Sequence, residues 1–461
     1  MNRFYMIIAA LERTSPRGWI LGVAFISLIQ RVGLYLLYQP VSYGDTPSYR
    51  RLAESLLRGL EYYDGTRTPG YPYFLAFLGP DERVWLVQMA LGLATTFLFF
   101  YMGWQLTGRA WFGGVAALAH TLNLGQLFFE ANILSETLTT FLVSLAYAGL
   151  FYWLFHASAR WVWLALLLGV VTSLAVMVRP LFIFFPFWFL LFIAVERKEK
   201  DPASRLPFRL NVPAAGAFFL PVILVVGGWI NFIHTKYGDW SLSTMTGYHL
   251  IQHTGVFFEY VPDEHAALRD TYLKYRDQQI ETRGNQANAI WDAIPEMQQA
   301  SGYNFYDLSR VLAKISVQLI LDHPDLYLRN VIKGWWYFWR VPVYWSAEAL
   351  RWEALARLIE PAVLGSRLVL ISVNLLFLGT SAGALLWRRF REWIPVSPAL
   401  WCLAGGVWAA SLVQTLVDHG DNPRFLVPMQ SLVVLWVLWL AFQSFHKVKL
   451  SQKQAHRLPD E

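Results

Sequence analysis

Tyr43-Gly44-Asp45-Thr46-Pro47-Ser48-Tyr49-Arg50-Arg51-Leu52-Ala53-Glu54-Ser55-Leu56-Leu57-Arg58-Gly59-Leu60 carries two chemistries in one stretch. Thr46 has the side chain of a helix N-cap, and Pro47 suits the first helical position. Tyr49, Leu52, Ala53, Leu56, Leu57 and Leu60 fall at i, i+3, i+4, i+7, i+8 and i+11, which is one apolar stripe. Arg50, Arg51, Glu54 and Arg58 occupy the other side, and Gly59 helps to end the element. The pattern predicts a helix over 47–60 lying in a membrane interface, not crossing it. Asp45 stands just before the cap, at the positive end of the helix dipole.

The chain around this stretch is strongly apolar. Of 461 residues, 56% are hydrophobic, 16% aromatic and only 15% charged. Soluble domains run to about 25% charged, so the chain reads as a membrane protein. Apolar runs lie at 18–38, 84–105, 111–129, 133–155, 161–178, 181–195, 212–233, 364–387, 396–417 and 425–442. They predict an all-α polytopic fold of about ten crossings. The first run follows Arg3, Arg13 and Arg17, and its length and the crossings behind it favour a signal anchor over a cleaved signal peptide. Arg31, near its outer end, reads as a snorkelling side chain or as a functional one.

Basic residues set the expected orientation. With the N-terminus in the cytoplasm, the inside loops hold Arg109; Arg160; Arg197, Lys198, Lys200, Arg205 and Arg209; Arg388, Arg389 and Arg391; and Lys447, Lys449, Lys453 and Arg457. This obeys the positive-inside rule and puts both termini inside. It also accounts for the net charge of +6 without nucleic acid, for which no basic stripe or stacking module is present. Cys402 is the single cysteine, so neither an intrachain disulfide nor a thiolate metal site is available.

The outward side then holds the loop at 39–82, the turn from Glu130 to Glu136, Arg179-Pro180, the segment from His419 to Arg424, and a large insertion at 234–362. The organisation is a membrane module at 1–233, the helical insertion, and C-terminal crossings with a basic tail at 363–461. Within the insertion, Asp307 to Leu321 and Pro324 to Trp339 read as helices. Trp335-Trp336-Tyr337-Phe338-Trp339 followed by Trp345 reads as part of an interfacial aromatic belt or as a core within the insertion.

Asp45, Arg67, Glu136, Arg179, His419, Asp421 and Arg424 all fall at outward ends of crossings. Charges there cost less than at the bilayer centre. Their shared level suits a substrate with a lipid tail in the bilayer and a phosphate at its surface. Arginines bind phosphate through bidentate charge-assisted bonds, and a carboxylate can take a proton from a hydroxyl. Competing structural roles are a turn for Asp45, a helix opening for Glu136, and snorkelling or pairing with Asp421 for Arg424. His249 and His253, at i and i+4, form the closest histidine pair and a weak metal motif.

In chain order these residues carry a resemblance. Gly44-Asp45 to Tyr49, Arg67-Thr68-Pro69-Gly70-Tyr71-Pro72, Leu134-Ser135-Glu136, Arg179-Pro180 and Asn422-Pro423-Arg424-Phe425-Leu426-Val427-Pro428 resemble bacterial GT-C glycosyltransferases. The nearest grouping is protein-mannosyltransferase-like and includes the lipid A aminoarabinose transferases. Trp229-Ile230-Asn231, Tyr237-Gly238-Asp239-Trp240 to Thr246-Gly247, and His323-Pro324-Asp325-Leu326-Tyr327-Leu328 extend the resemblance across nearly the whole chain.

The resemblance implies a GT-C fold in the plasma membrane. It also implies inverting transfer of a hexose or pentose from a polyprenyl-phosphate carrier to an acceptor hydroxyl on the extracytoplasmic side. It makes Asp45 the catalytic base or the acid that orients the acceptor, and Glu136 the second acid of the cavity. Arg67, Arg179 and Arg424 become candidates for the donor phosphate, with Tyr71, His419 and Asp421 as further donor contacts. A divalent cation, Mg²⁺ or Mn²⁺, stays open, but Thr46 stands where many relatives carry a second acid after the first. The alternative function is a transporter or flippase of a lipid-linked glycan.

Overall fold

The structure is a computed structural model describing residues 11–156, 161–197, 208–418 and 423–455. All ten apolar runs are helical, and seven helices among the described residues are long and apolar enough to cross a membrane. The other three runs are shorter. Val162–Val178 and Pro180–Ile193 are compact apolar helices. The run at 111–129 is broken into Ala110–Thr121 and Leu124–Ala131, because Asn123 leaves helical geometry and its side chain accepts a bond from the Gly125 N–H to cap the second piece. Beside the helices, a two-stranded antiparallel ribbon pairs Val195–Arg197 with Phe208–Leu210.

The central layer is built by Asp81–Thr107, Glu136–Phe155, Pro398–Val417 and the C-terminal helix Val427–Ala455, which contribute Phe99, Phe151, Leu403 and Trp436 to one buried cluster. Val212–Pro221 lies along Val162–Val178 and runs through a π-helical turn, Val222–Gly227, into Gly228–Tyr237. Pro221 accounts for that turn, since it has no N–H to donate to the preceding helical turn.

The insertion has its own core, in which Tyr248, Ile251, Tyr272, Met297 and Leu312 are buried together. The predicted helices appear as Phe305–Asp322 and Pro324–Phe338. The tryptophan run at the end of the second is not a core of the insertion, because it packs against the membrane domain. Phe338 and Trp339 are buried in the membrane-domain cluster, and the Trp335 indole donates to Ser411 Oγ at 3.1 Å and stacks on Trp408. The aromatic run thus anchors the insertion to Pro398–Val417, and only Trp336 is well exposed.

Arg31 does not snorkel. It is 4% exposed, pairs with Glu130 at 2.5 Å and donates to Met89 O, Ser27 O and Thr121 Oγ1. A buried guanidinium needs this many acceptors to offset its lost hydration. Gly92 makes room for the pair, because a Cβ there would lie 1.9 Å from Glu130 Oε1. Gly92→Ala is therefore expected to destabilise the fold by about 1–3 kcal/mol through overpacking. Thermal melting in detergent tests this against Gly216→Ala, where a Cβ meets nothing within 4 Å. Equal melting temperatures would contradict the packing argument.

Candidate functional site

The opening stretch folds into the helix Thr46–Arg58. Asp45 takes the N-cap position, but its side chain makes no cap bond. Thr46 instead uses its hydroxyl to accept from the Tyr43 N–H and donate to Ile133 O, each at 2.9 Å. With the Val41–Asn132 bridge, this ties the first loop to the turn that opens Glu136–Phe155. The stripe is buried at Tyr49, Leu52 and Ala53, while Leu57 and Leu60 are exposed.

Freed from capping, the Asp45 carboxylate lies between two guanidiniums. Oδ1 accepts from Arg67 at 2.7 Å, and Oδ2 accepts from Arg424, 379 residues away in sequence. Burial alone would raise the Asp45 pKa, but the charges of Arg67 and Arg424 outweigh it and hold the carboxyl well below the usual carboxylate range. Arg67 is placed by the turn before it, where Asp64 Oδ1 accepts from the Thr66 N–H and hydroxyl and Tyr63 OH donates to Arg67 O. Its guanidinium also covers the Tyr49 ring at 4.6 Å and donates to Ser48 Oγ.

Arg179 follows the helix Val162–Val178, and Pro180 after it keeps Arg179 extended. The side chain reaches Glu136 Oε1 at 3.1 Å and lies over the Phe425 ring at 4.3 Å. Arg424 Nε is 3.5 Å from the same Glu136 oxygen. Arg424 thus links the two carboxylates, and three guanidiniums face two carboxylates in one cluster.

A cavity of about 710 Å³ opens beside the cluster. Asp45, Arg67, Arg179 and Arg424 line it, with Val178, Leu181, Ile183 and Phe425 as an apolar flank. Its volume is that of a small-molecule site. Two predicted residues do not reach it. Glu136 is 1% exposed and sits behind the arginines, where it holds Arg179 and Arg424. Tyr71 is fully buried, donates to Gln88 Oε1 at 3.1 Å and packs edge-on against Tyr49, so it braces the first loop and contacts no ligand space. His419 and Asp421 lie outside the described residues.

Sequence reasoning missed the lining that the insertion contributes through His249, Gln252, Asn288, Trp291 and Phe305. Of the histidine pair, His249 lies 3.4 Å from Asp418, while His253 is buried beside Asn330. They do not converge as metal ligands, and among the described residues no group of three His, Cys, Asp or Glu is placed to hold a metal ion. Both Asp45 oxygens are engaged by guanidiniums, so the described residues of the cluster do not fit a resident divalent cation. In comparisons with known proteins, no protein-family model, curated protein or solved structure matches this chain.

Proposed function

We propose that the chain is an inverting glycosyltransferase of GT-C type that takes a sugar from a polyprenyl-phosphate carrier and transfers it to an acceptor hydroxyl at the outer face of the plasma membrane. The observation that carries this reading is the meeting of Asp45 with Arg67, Arg179 and Arg424 at one cavity that also has an apolar flank. The excess of guanidinium over carboxylate suits a lipid phosphate, and the flank suits the first carbons of its chain. The ordered motif resemblance points the same way. If all ten apolar runs cross, both termini are cytoplasmic, in accord with the basic loops.

In this mechanism the acceptor oxygen attacks the anomeric carbon while the bond from that carbon to the phosphate oxygen breaks. The electron pair leaves with the phosphate, and the hydroxyl proton passes to Asp45. Arginines preset around the leaving group stabilise its developing charge. The donor phosphate competes with Asp45 for Arg67 and Arg424, so its arrival releases the carboxylate and restores its basicity. Glu136 acts through the arginines as a positioning residue. The acceptor is a hydroxyl of a glycan, a lipid or a protein.

Purified protein supplied with a polyprenyl-phosphate sugar and membrane extract as acceptor source is expected to release polyprenyl phosphate and form a glycosylated product. Reconstituted vesicles that translocate a labelled lipid-linked sugar without covalent transfer would replace this reading with transport.

A further inference from the structure

The insertion gives the same cavity a lining of different chemistry from the guanidiniums. Met245, His249 and Gln252 lie at i, i+4 and i+7 along the helix Thr246–Thr254 and its N-cap, so one face lines the cavity. Tyr248 and Ile251 turn the other way, into the core of the insertion. Gly247 sets this rotation, since a Cβ would come 1.8 Å from Ser309 O and force the helix off its neighbour.

Asn288 and Trp291 extend the wall from the start of Ala289–Ser301. Asn288 has φ 70°, the one non-glycine residue with positive φ among those described. Asparagine accepts this left-handed geometry better than most residues, and such conformations cluster at ligand sites. The turn brings the Trp291 indole beside His249, with ring centroids 6.1 Å apart and planes at 75°. His249 Nδ1 in turn lies 3.4 Å from Asp418 Oδ2. The carboxamides of Gln252 and Asn288 make no side-chain hydrogen bond among the described residues.

This lining therefore presents a half-buried indole, two carboxamides without side-chain hydrogen bonds among the described residues and an imidazole beside a carboxylate. An anion would be drawn to the arginines of the same cavity. A purely apolar ligand would leave the carboxamides unpaired, which is costly once water is excluded. A pyranose meets both demands, because one face of the ring is C–H and packs on an aromatic surface while its hydroxyls both donate and accept.

We propose that this wall is a saccharide subsite, in which Trp291 stacks against a neutral pyranose and His249, Gln252 and Asn288 hold its hydroxyls. The proposal rests on the transferase reading and adds the recognition of sugar to that of phosphate. The sugar is either the donor's own or the acceptor's.

The test is saturation-transfer NMR on the full chain in nanodiscs with methyl glycosides of glucose, galactose, mannose and N-acetylglucosamine, with adenosine as a flat heterocyclic control. At least one glycoside is expected to bind, and Trp291→Ala and Gln252→Ala each to weaken it by about five-fold or more. Affinity for undecaprenyl phosphate is expected to stay within about two-fold of wild type in both variants. Displacement by undecaprenyl-phosphate sugar but not by undecaprenyl phosphate assigns the subsite to the donor sugar. Glycoside binding alongside both lipids assigns it to the acceptor.

Absence of glycoside binding to protein with a wild-type melting transition overturns the proposal. So does equal binding by both variants, or binding of adenosine alone. Glycoside binding with no affinity for undecaprenyl phosphate would instead sink the transferase reading and leave the subsite standing.

Discussion

Arg424→Ala is expected to lower turnover of a polyprenyl-phosphate sugar by roughly 10²–10³-fold, the usual effect of deleting one preorganised donor to a developing anion. Arg424 is the guanidinium that reaches both Asp45 and Glu136, so its loss unlinks the two carboxylates. Asp45 keeps Arg67 and Glu136 keeps Arg179, which is why the protein should still fold. The buried Glu136 carboxylate nonetheless loses a partner, at a cost of about 1–3 kcal/mol in stability. Arg424→Lys keeps the charge but not the planar fork, so it should recover only part of the rate. Steady-state kinetics on folded variants decide the matter, and an Arg424→Ala protein with wild-type kcat/KM would remove Arg424 from the mechanism.

Asp45→Asn separates binding from chemistry. Loss of the base is expected to cut kcat by about 10²–10⁴-fold. Binding of bare undecaprenyl phosphate should become tighter, because the internal anion that competes for Arg67 and Arg424 is gone. A merely structural Asp45 would give weaker binding and a disordered site.

The same substitution changes acid stability, and the sign follows from the depressed Asp45 pKa. A carboxyl whose folded pKa lies below its unfolded value of about 3.9 contributes fully above about pH 5, and the contribution is lost as pH falls toward the folded value. Wild type should therefore lose more melting temperature than Asp45→Asn between pH 6 and pH 3. Parallel curves would show that Asp45 has no net ion-pair role in folding.

Much of the architecture was legible from local pattern. Pro47 and the apolar stripe announced Thr46–Arg58 to within two residues at its C-terminal end, and the ten apolar runs included the seven helices that are long and apolar enough to cross a membrane. Helix formation depends on neighbours three and four residues apart, and that information lies in the string itself. Asp45, Arg67, Arg179 and Arg424 were found because charges at the ends of apolar runs stand out by composition.

Burial and partnership were decided elsewhere. Glu136 and Tyr71 belong to the same short motifs as Asp45 and Arg67, yet both are buried away from the cavity, Glu136 behind the arginines and Tyr71 against Gln88. Arg31 met Glu130, 99 residues on, and the tryptophan run met Ser411 and Trp408. Gln252, Asn288 and Trp291 gave no sequence signal, and His249 gave only that of a weak metal pair, because a cavity wall assembled from separate turns has no period.

The stretch from Tyr43 to Leu60 shows the division within itself. Its sequence alone determined a helix with Asp45 at the positive end, since capping and periodicity act over a few residues. That Asp45 turns away from the helix to meet Arg67 and Arg424 was decided only by the tertiary structure. A carboxylate takes the partners that best replace its hydration, and those partners exist at one point in space only after the helices that carry them have packed.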